Sequence, residues 1–284
     1  MAAEGIAVRG FLLALLCLLP AAAWAGPPPL ALPKAGSQSF AIQGVTLTAD
    51  VPAAGQAGDY VFAVTSPGAA PATLSIAAIP QLSGAVPEVT PLEMDPINGT
   101  PEILVTNYTG GAHCCVDVHI FDLVGGAWTV VDGGSLDGGI ATRDIDKDGE
   151  TEIMHRDDRF LYVFSCYACA APPMLYDKLV DGALADISAS PLVRPLDEKQ
   201  LPDFRDGCAR HDNGACASYV ALMTRLGRHD AGWAFMLKNY DPAQDWGLSD
   251  CAQQDADGKC TAQITYKDYP AALAAFLKRT GYMR

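Results

Sequence analysis

Between Ser39 and Leu192 the sequence is cut into short apolar runs, one about every ten residues, each closed by a turn signal. Phe40 to Val51 alternates polar and apolar residues. Tyr60 to Val64, Ala72 to Ile79, Ile103 to Val105, Val116 to Phe121 and Trp128 to Val131 follow, then Ile153-Met154, Phe160 to Phe164 and Met174 to Leu179. Gly125-Gly126, Asp132-Gly133 and Asp181-Gly182 punctuate them. Strands this short and this evenly spaced predict antiparallel sheet. The pattern changes after Pro195. Apolar residues take helical spacing over Ala215 to Leu226, with Asp212 placed to cap, and over His229 to Tyr240. A third helix is expected at Tyr269-Pro270 and Ala271 to Arg279, with proline in its first turn. The fold class expected is therefore mainly antiparallel β, residues 39–195, followed by a small α-helical domain, residues 196–284.

The first 25 residues read as a secretory signal peptide. Arg9 supplies the positive charge, Phe11 to Leu19 the apolar stretch, and Ala23-Trp24-Ala25 the small-x-small cleavage site. Residues 26–38 form a Pro-rich linker. No stretch reaches the ~20 apolar residues of a membrane span, so a soluble periplasmic or secreted protein is expected. With 19 Lys+Arg against 33 Asp+Glu the formal charge is -14, which argues against nucleic acid as a partner.

Export also sets the reading of the cysteines. Past Cys17, which falls in the signal segment, eight remain, an even number that favours disulfides. Cys114, Cys115, Cys166 and Cys169 precede the Pro195 boundary; Cys208, Cys216, Cys251 and Cys260 follow it. Two separately stapled groups are expected. Three readings of the first group stay open: two structural disulfides, a Cys114–Cys115 ring with a Cys166–Cys169 bridge, or a Zn²⁺ or Cu⁺ site that adds His113.

The β region contains a repeat. Asn98-Gly99-Thr100-Pro101-Glu102-Ile103 matches Asp148-Gly149-Glu150-Thr151-Glu152-Ile153, and Phe121-Asp122 echoes Tyr176-Asp177. The units fall near 93–143 and 144–192. The second opens on Asp144-Ile145-Asp146-Lys147-Asp148-Gly149-Glu150-Thr151-Glu152. Carboxylates at positions 1, 3, 5 and 9, with a glycine at 6 for the turn, form an oxygen cage suited to Ca²⁺, and the Glu150 carbonyl adds a ligand. Position 12 is His155 where an EF-hand needs Glu, and a strand follows, so this is no EF-hand.

On these residues the segment from Asp144 to Ile153 resembles the calcium loop of FG-GAP/VCBS repeats, the blades of integrin-alpha-like propellers. Glu102 to Cys115 is also similar to a stretch in exported bacterial proteins that carry such repeats. The resemblance implies Ca²⁺ held by the side chains of Asp144, Asp146, Asp148 and Glu152. The first copy departs from the pattern, with Met94 and Pro96 at positions 1 and 3. A closed propeller takes ~4–8 blades, and this region has room for about three. An incomplete array or a sandwich is expected instead.

Gly-x-Ser-x-Gly and His-Glu-x-x-His are absent from the sequence, and the glycine runs lack the Lys-Ser/Thr of a phosphate loop. His155 and Asp157-Asp158 read as a solvated turn after a strand. No catalytic residue is assigned. The function expected is a non-enzymatic calcium-binding β-repeat module with a protein or glycan partner. The alternative is a periplasmic cysteine-based redox or soft-metal protein.

Overall fold

The computed structural model describes residues 27–80, 85–112 and 114–283. The signal-peptide reading of residues 1–25 and the ligand role of His113 lie outside the described residues.

Three four-stranded antiparallel sheets follow one another along the chain, each a simple meander. The first comprises β1 (Gly36–Ile42), β2 (Val45–Val51), β3 (Asp59–Thr65) and β4 (Ala72–Ala77). Phe40 to Val51 is thus two strands rather than one alternating run. Gln43 and Gly44, at φ 44° and 88°, make the two-residue turn whose left-handed backbone suits strand twist. The second sheet comprises β5 (Glu88–Leu92), β6 (Glu102–Tyr108), β7 (Val116–Val124) and β8 (Ala127–Leu136). The third comprises β9 (Ile140–Arg143), β10 (Glu152–Arg156), β11 (Met174–Val180) and β12 (Ala183–Asp186). The repeat predicts two such units; residues 36–77 supply a third of the same strand order without the acidic-loop signature. Among the described residues the sheets close into no barrel or propeller.

The second sheet lies between the other two, and strand alternation explains how. Ile103, Val105 and Phe121 join Val45, Leu47, Phe62 and Val64 of the first sheet. Leu104, Val118 and Ile120, on the opposite face, join Ile153 and Leu179 of the third. Gly133 permits the close approach of β8 to β7 at a register shift, since a Cβ there would sit 2.7 Å from Val118 Cγ1.

Phe160 to Phe164 is not the strand that its apolar residues predict. Between β10 and β11 the chain makes a 3-10 turn over Asp158–Phe160, capped by Asp157, and a second over Tyr167–Cys169. Phe160 and Phe164 leave the sheet and enter the core of the helical region, edge-on to Phe276. That region holds α1 (Arg194–Ala209), α2 (Asn213–Arg225), α3 (His229–Asn239) and α4 (Tyr269–Arg279). Asp212 and Asp268 cap α2 and α4 by accepting from the N–H groups of Ala215 and Ala271. A polar hairpin, β13 (Ser249–Gln254) and β14 (Cys260–Thr265), separates α3 from α4 and is mostly exposed. No helix among the described residues is long and apolar enough to cross a membrane.

Among the described residues the cysteine sulfurs meet in four pairs, none joining one half to the other: Cys114 with Cys115, Cys166 with Cys169, Cys208 with Cys216, and Cys251 with Cys260. The last three pairs have Cα separations of 5.0, 4.4 and 5.6 Å, inside the disulfide range.

Candidate metal centre

The loop from Asp144 to Thr151 enters β10, and its own carboxylates hold it in shape. Asp144 Oδ2 accepts the Gly149 N–H at 3.2 Å, and Asp148 Oδ1 accepts that of Glu150 at 2.8 Å. Gly149, at φ 98°, takes the backbone through the turn. Glu152, the first residue of β10, is 0% exposed, and its Oε2 accepts the Ile145 N–H at 2.8 Å. These bonds use one oxygen of each anchoring carboxylate. Asp144 Oδ1 and Glu152 Oε1 remain buried without a hydrogen-bond partner.

One carboxylate oxygen each from Asp144, Asp146 and Glu152 lies within 4.8 Å of the other two. Burial pushes the Glu152 carboxyl above its usual range; Asp146 and Asp148 add to the rise, and the Ile145 N–H and Lys178 oppose it. A buried carboxylate oxygen without a donor is costly. A hard cation ringed by oxygens would satisfy it, and the all-oxygen donor set suits Ca²⁺ rather than a thiophilic metal. The residues present therefore fit the ion that the loop pattern implies.

Of the four side chains that the sequence assigns to the ion, the structure brings three together, those of Asp144, Asp146 and Glu152. The Asp148 carboxylate turns toward Lys178 instead, as does that of Glu150, whose carbonyl is the ligand the sequence assigns. Lys178 Nζ is 3.3 Å from Asp148 Oδ2 and pairs closely with the Glu150 carboxylate. Nothing local in the sequence marks Lys178, because strand pairing brings it from β11 to the loop.

The first copy is built on the same anchor and filled differently. Glu102 opens β6, is 0% exposed, and accepts the Met94 and Asp95 N–H groups on Oε2 at 2.7 and 3.0 Å. Its Oε1 accepts Asn98 Nδ2 at 2.9 Å, and the same amide nitrogen donates to Asp122 Oδ1 at 3.1 Å. Burial pushes the Glu102 carboxyl up to about 7, against the pull of these three donors. An amide group here meets Glu102 Oε1 and Asp122 Oδ1, while Asp122 Oδ2 stays buried without a hydrogen-bond partner. The two loops touch, through the Thr151 N–H and the Glu93 carbonyl at 2.7 Å.

His155 and Asp157 form no solvated turn, contrary to the sequence reading. Asp157 is 1% exposed, takes a two-point fork from Arg159 at 2.6 Å on each oxygen, and accepts from Tyr282 at 3.0 Å. His155 Nε2 lies 2.9 Å from Asp177 Oδ2. These contacts tie the third sheet to the C-terminus and across its own strands.

Fold and loop together define a class: a stack of antiparallel sheets with an acidic loop at one strand entry and a small helical region after it. Residues 197–281 match the family model of the sll0997 C-terminal domain. The chain is homologous to the probable thylakoid lumen protein sll0997 of Synechocystis, 39% identical over 203 residues, which is 67% of this chain and 59% of that protein. It is 32% identical over 203 residues to the uncharacterized protein y4bJ of Sinorhizobium fredii, covering 69% of this chain and 32% of that one. The chain thus spans less than two thirds of either relative's length. No solved structure matches it.

Proposed function

We propose that this chain is an exported, non-enzymatic protein that binds Ca²⁺ through Asp144, Asp146 and Glu152. Asp148 and the Glu150 carbonyl are the further ligands of the loop pattern. The observation that carries this reading is the buried, unpartnered oxygen of Glu152 beside the carboxylates of Asp144 and Asp146. The resemblance of residues 144–153 to FG-GAP/VCBS loops supports it, and implies a binding or structural module with a protein or glycan partner. Export is supported by the N-terminal pattern and by the lumen location in the name of the Synechocystis relative.

The test is thermal. Extracellular calcium modules bind with a Kd of ~10⁻⁴–10⁻³ M. At a hundredfold excess over Kd, a ligand that binds only the folded state stabilises it by about 2.7 kcal/mol. For a protein of this size that is a rise of about 5–10 °C in Tm. Calcium at ~10 mM is expected to produce that rise at the tighter end of the range, and a chelator to reverse it. Asp146→Ala should abolish the response, whereas Asn98→Ala in the first copy should leave it largely intact. A melting temperature indifferent to calcium in the unmutated chain refutes the reading.

Cysteine redox chemistry is the second reading, and one contact favours it. Cys166 Sγ accepts the Cys169 N–H at 3.2 Å, a donor that would also favour a Cys166 thiolate. A thiol titration separates the two readings. If all eight cysteines serve structure, the native and the unfolded, unreduced protein should both show no free thiol. The protein should also leave the rate at which a dithiol reduces small disulfides at its uncatalysed value.

A further inference from the structure

We propose that Lys178 is a tethered cation that competes with Ca²⁺ for the second acidic loop and sets its affinity. The inference rests on the calcium reading of that loop and concerns its regulation.

Strand register carries the argument. In the second sheet Ile103 pairs with Phe121, and in the third Ile153 pairs with Asp177. The next rung of each ladder sets Glu102 beside Asp122 and Glu152 beside Lys178. The structural equivalence is therefore Asp122 with Lys178, one residue off the match read from the sequence. Both rungs reach into their loops. Asp122 shares the Asn98 amide with Glu102. Lys178 takes the carboxylates of Asp148 and Glu150. The same position carries opposite charge in the two copies.

Lys178 is not a freely solvated lysine, since its side chain is 26% exposed and meets two carboxylates. Asp148 stands at position 5 of the ligand pattern, and an oxygen donating to a dication is less available to an ammonium beside it. The ammonium also repels a dication across a few ångströms. Removing it leaves all five carboxylates of the loop in place with less opposing charge, so affinity should rise by about tenfold. A purely structural counter-ion behaves in the opposite way: its loss loosens the loop and weakens binding.

Isothermal titration of the full chain with CaCl₂ separates these cases. Lys178→Met should bind about tenfold more tightly than the unmutated chain and melt lower than it in chelator, where five carboxylates repel without relief. Acylation of the intact, unmutated protein with an N-hydroxysuccinimide ester, followed by peptide mass mapping, gives a second readout that needs no variant. Calcium should speed the labelling of Lys178 several-fold, and should not do so in Asp146→Ala. If the unmutated chain binds while Lys178→Met binds equally or more weakly, or if calcium leaves Lys178 labelling unchanged, the competition is overturned and the calcium site stands. If neither protein binds, the calcium reading falls and this inference with it.

Discussion

Replacing Arg225 by methionine is expected to destabilise the protein by about 3–5 kcal/mol, the cost of breaking a buried ion pair from one side. Arg225 stands at the end of α2 with its side chain 7% exposed, facing Asp197 of α1 at 1%. Its Nε donates to Asp197 Oδ2 at 2.8 Å, and Nη2 donates to both Oδ1 of the same carboxylate and the Met174 carbonyl. The guanidinium also lies over the rings of Tyr176 and Tyr282, at 5.8 and 5.9 Å. One side chain thus joins two helices, the start of β11 and the C-terminal residues. Methionine keeps the aliphatic stem and removes every donor, which strands Asp197. Burial already pushes that carboxyl upward while Arg225 pulls it down. The double change Arg225→Met with Asp197→Leu should recover part of the loss, because the orphaned charge is gone. Urea unfolding of the four proteins checks this; a single-variant loss below about 1 kcal/mol would place the pair with solvent-exposed ion pairs.

Phe164→Ala is expected to cost a similar amount, about 3–5 kcal/mol, for a large cavity in a packed core. Phe164 is 1% exposed and meets Tyr269 and Phe276 edge-on, both at 5.2 Å between ring centres. It belongs by sequence to the insertion between β10 and β11 and by packing to the helical core. The change should therefore lower the helical and the sheet transitions together, as followed by circular dichroism during denaturant unfolding. Loss of the helical signal alone, with the sheet transition unmoved, would show that the two parts unfold independently.

These two positions also show what local pattern can and cannot reveal. Helices α2, α3 and α4 are legible from their apolar spacing, joined by the Asp212 cap in α2 and by Pro270 in the first turn of α4. Helix α1 escapes the same reading: it is rich in charged residues and has Pro202 in its interior. The hairpin of β13 and β14 is equally silent, being polar and exposed, with no buried face to impose alternation. Phe160 to Phe164 misleads for the opposite reason. Its apolar residues answer to a core built by helices later in the chain, from Cys216 and Val220 of α2 to Phe276 of α4. At the candidate site, the gathering of Asp144, Asp146 and Glu152 follows from alternate residues pointing into a tight turn. The diversion of Asp148 to Lys178 does not, because it depends on which rung of β11 lies beside β10.

The amide of Asn98 has a consequence for how such repeats diverge. In the first loop, Glu102 still fastens the turn to its strand through two backbone N–H groups. The interior differs, with Met94 and Pro96 at the first and third positions and the neutral amide of Asn98 touching Glu102 and Asp122. Shape and cargo are thus separable in a duplicated unit. A copy without carboxylates at the first, third and fifth positions can keep its architecture. Drift can then change the donor set of one loop while its neighbour keeps its carboxylates.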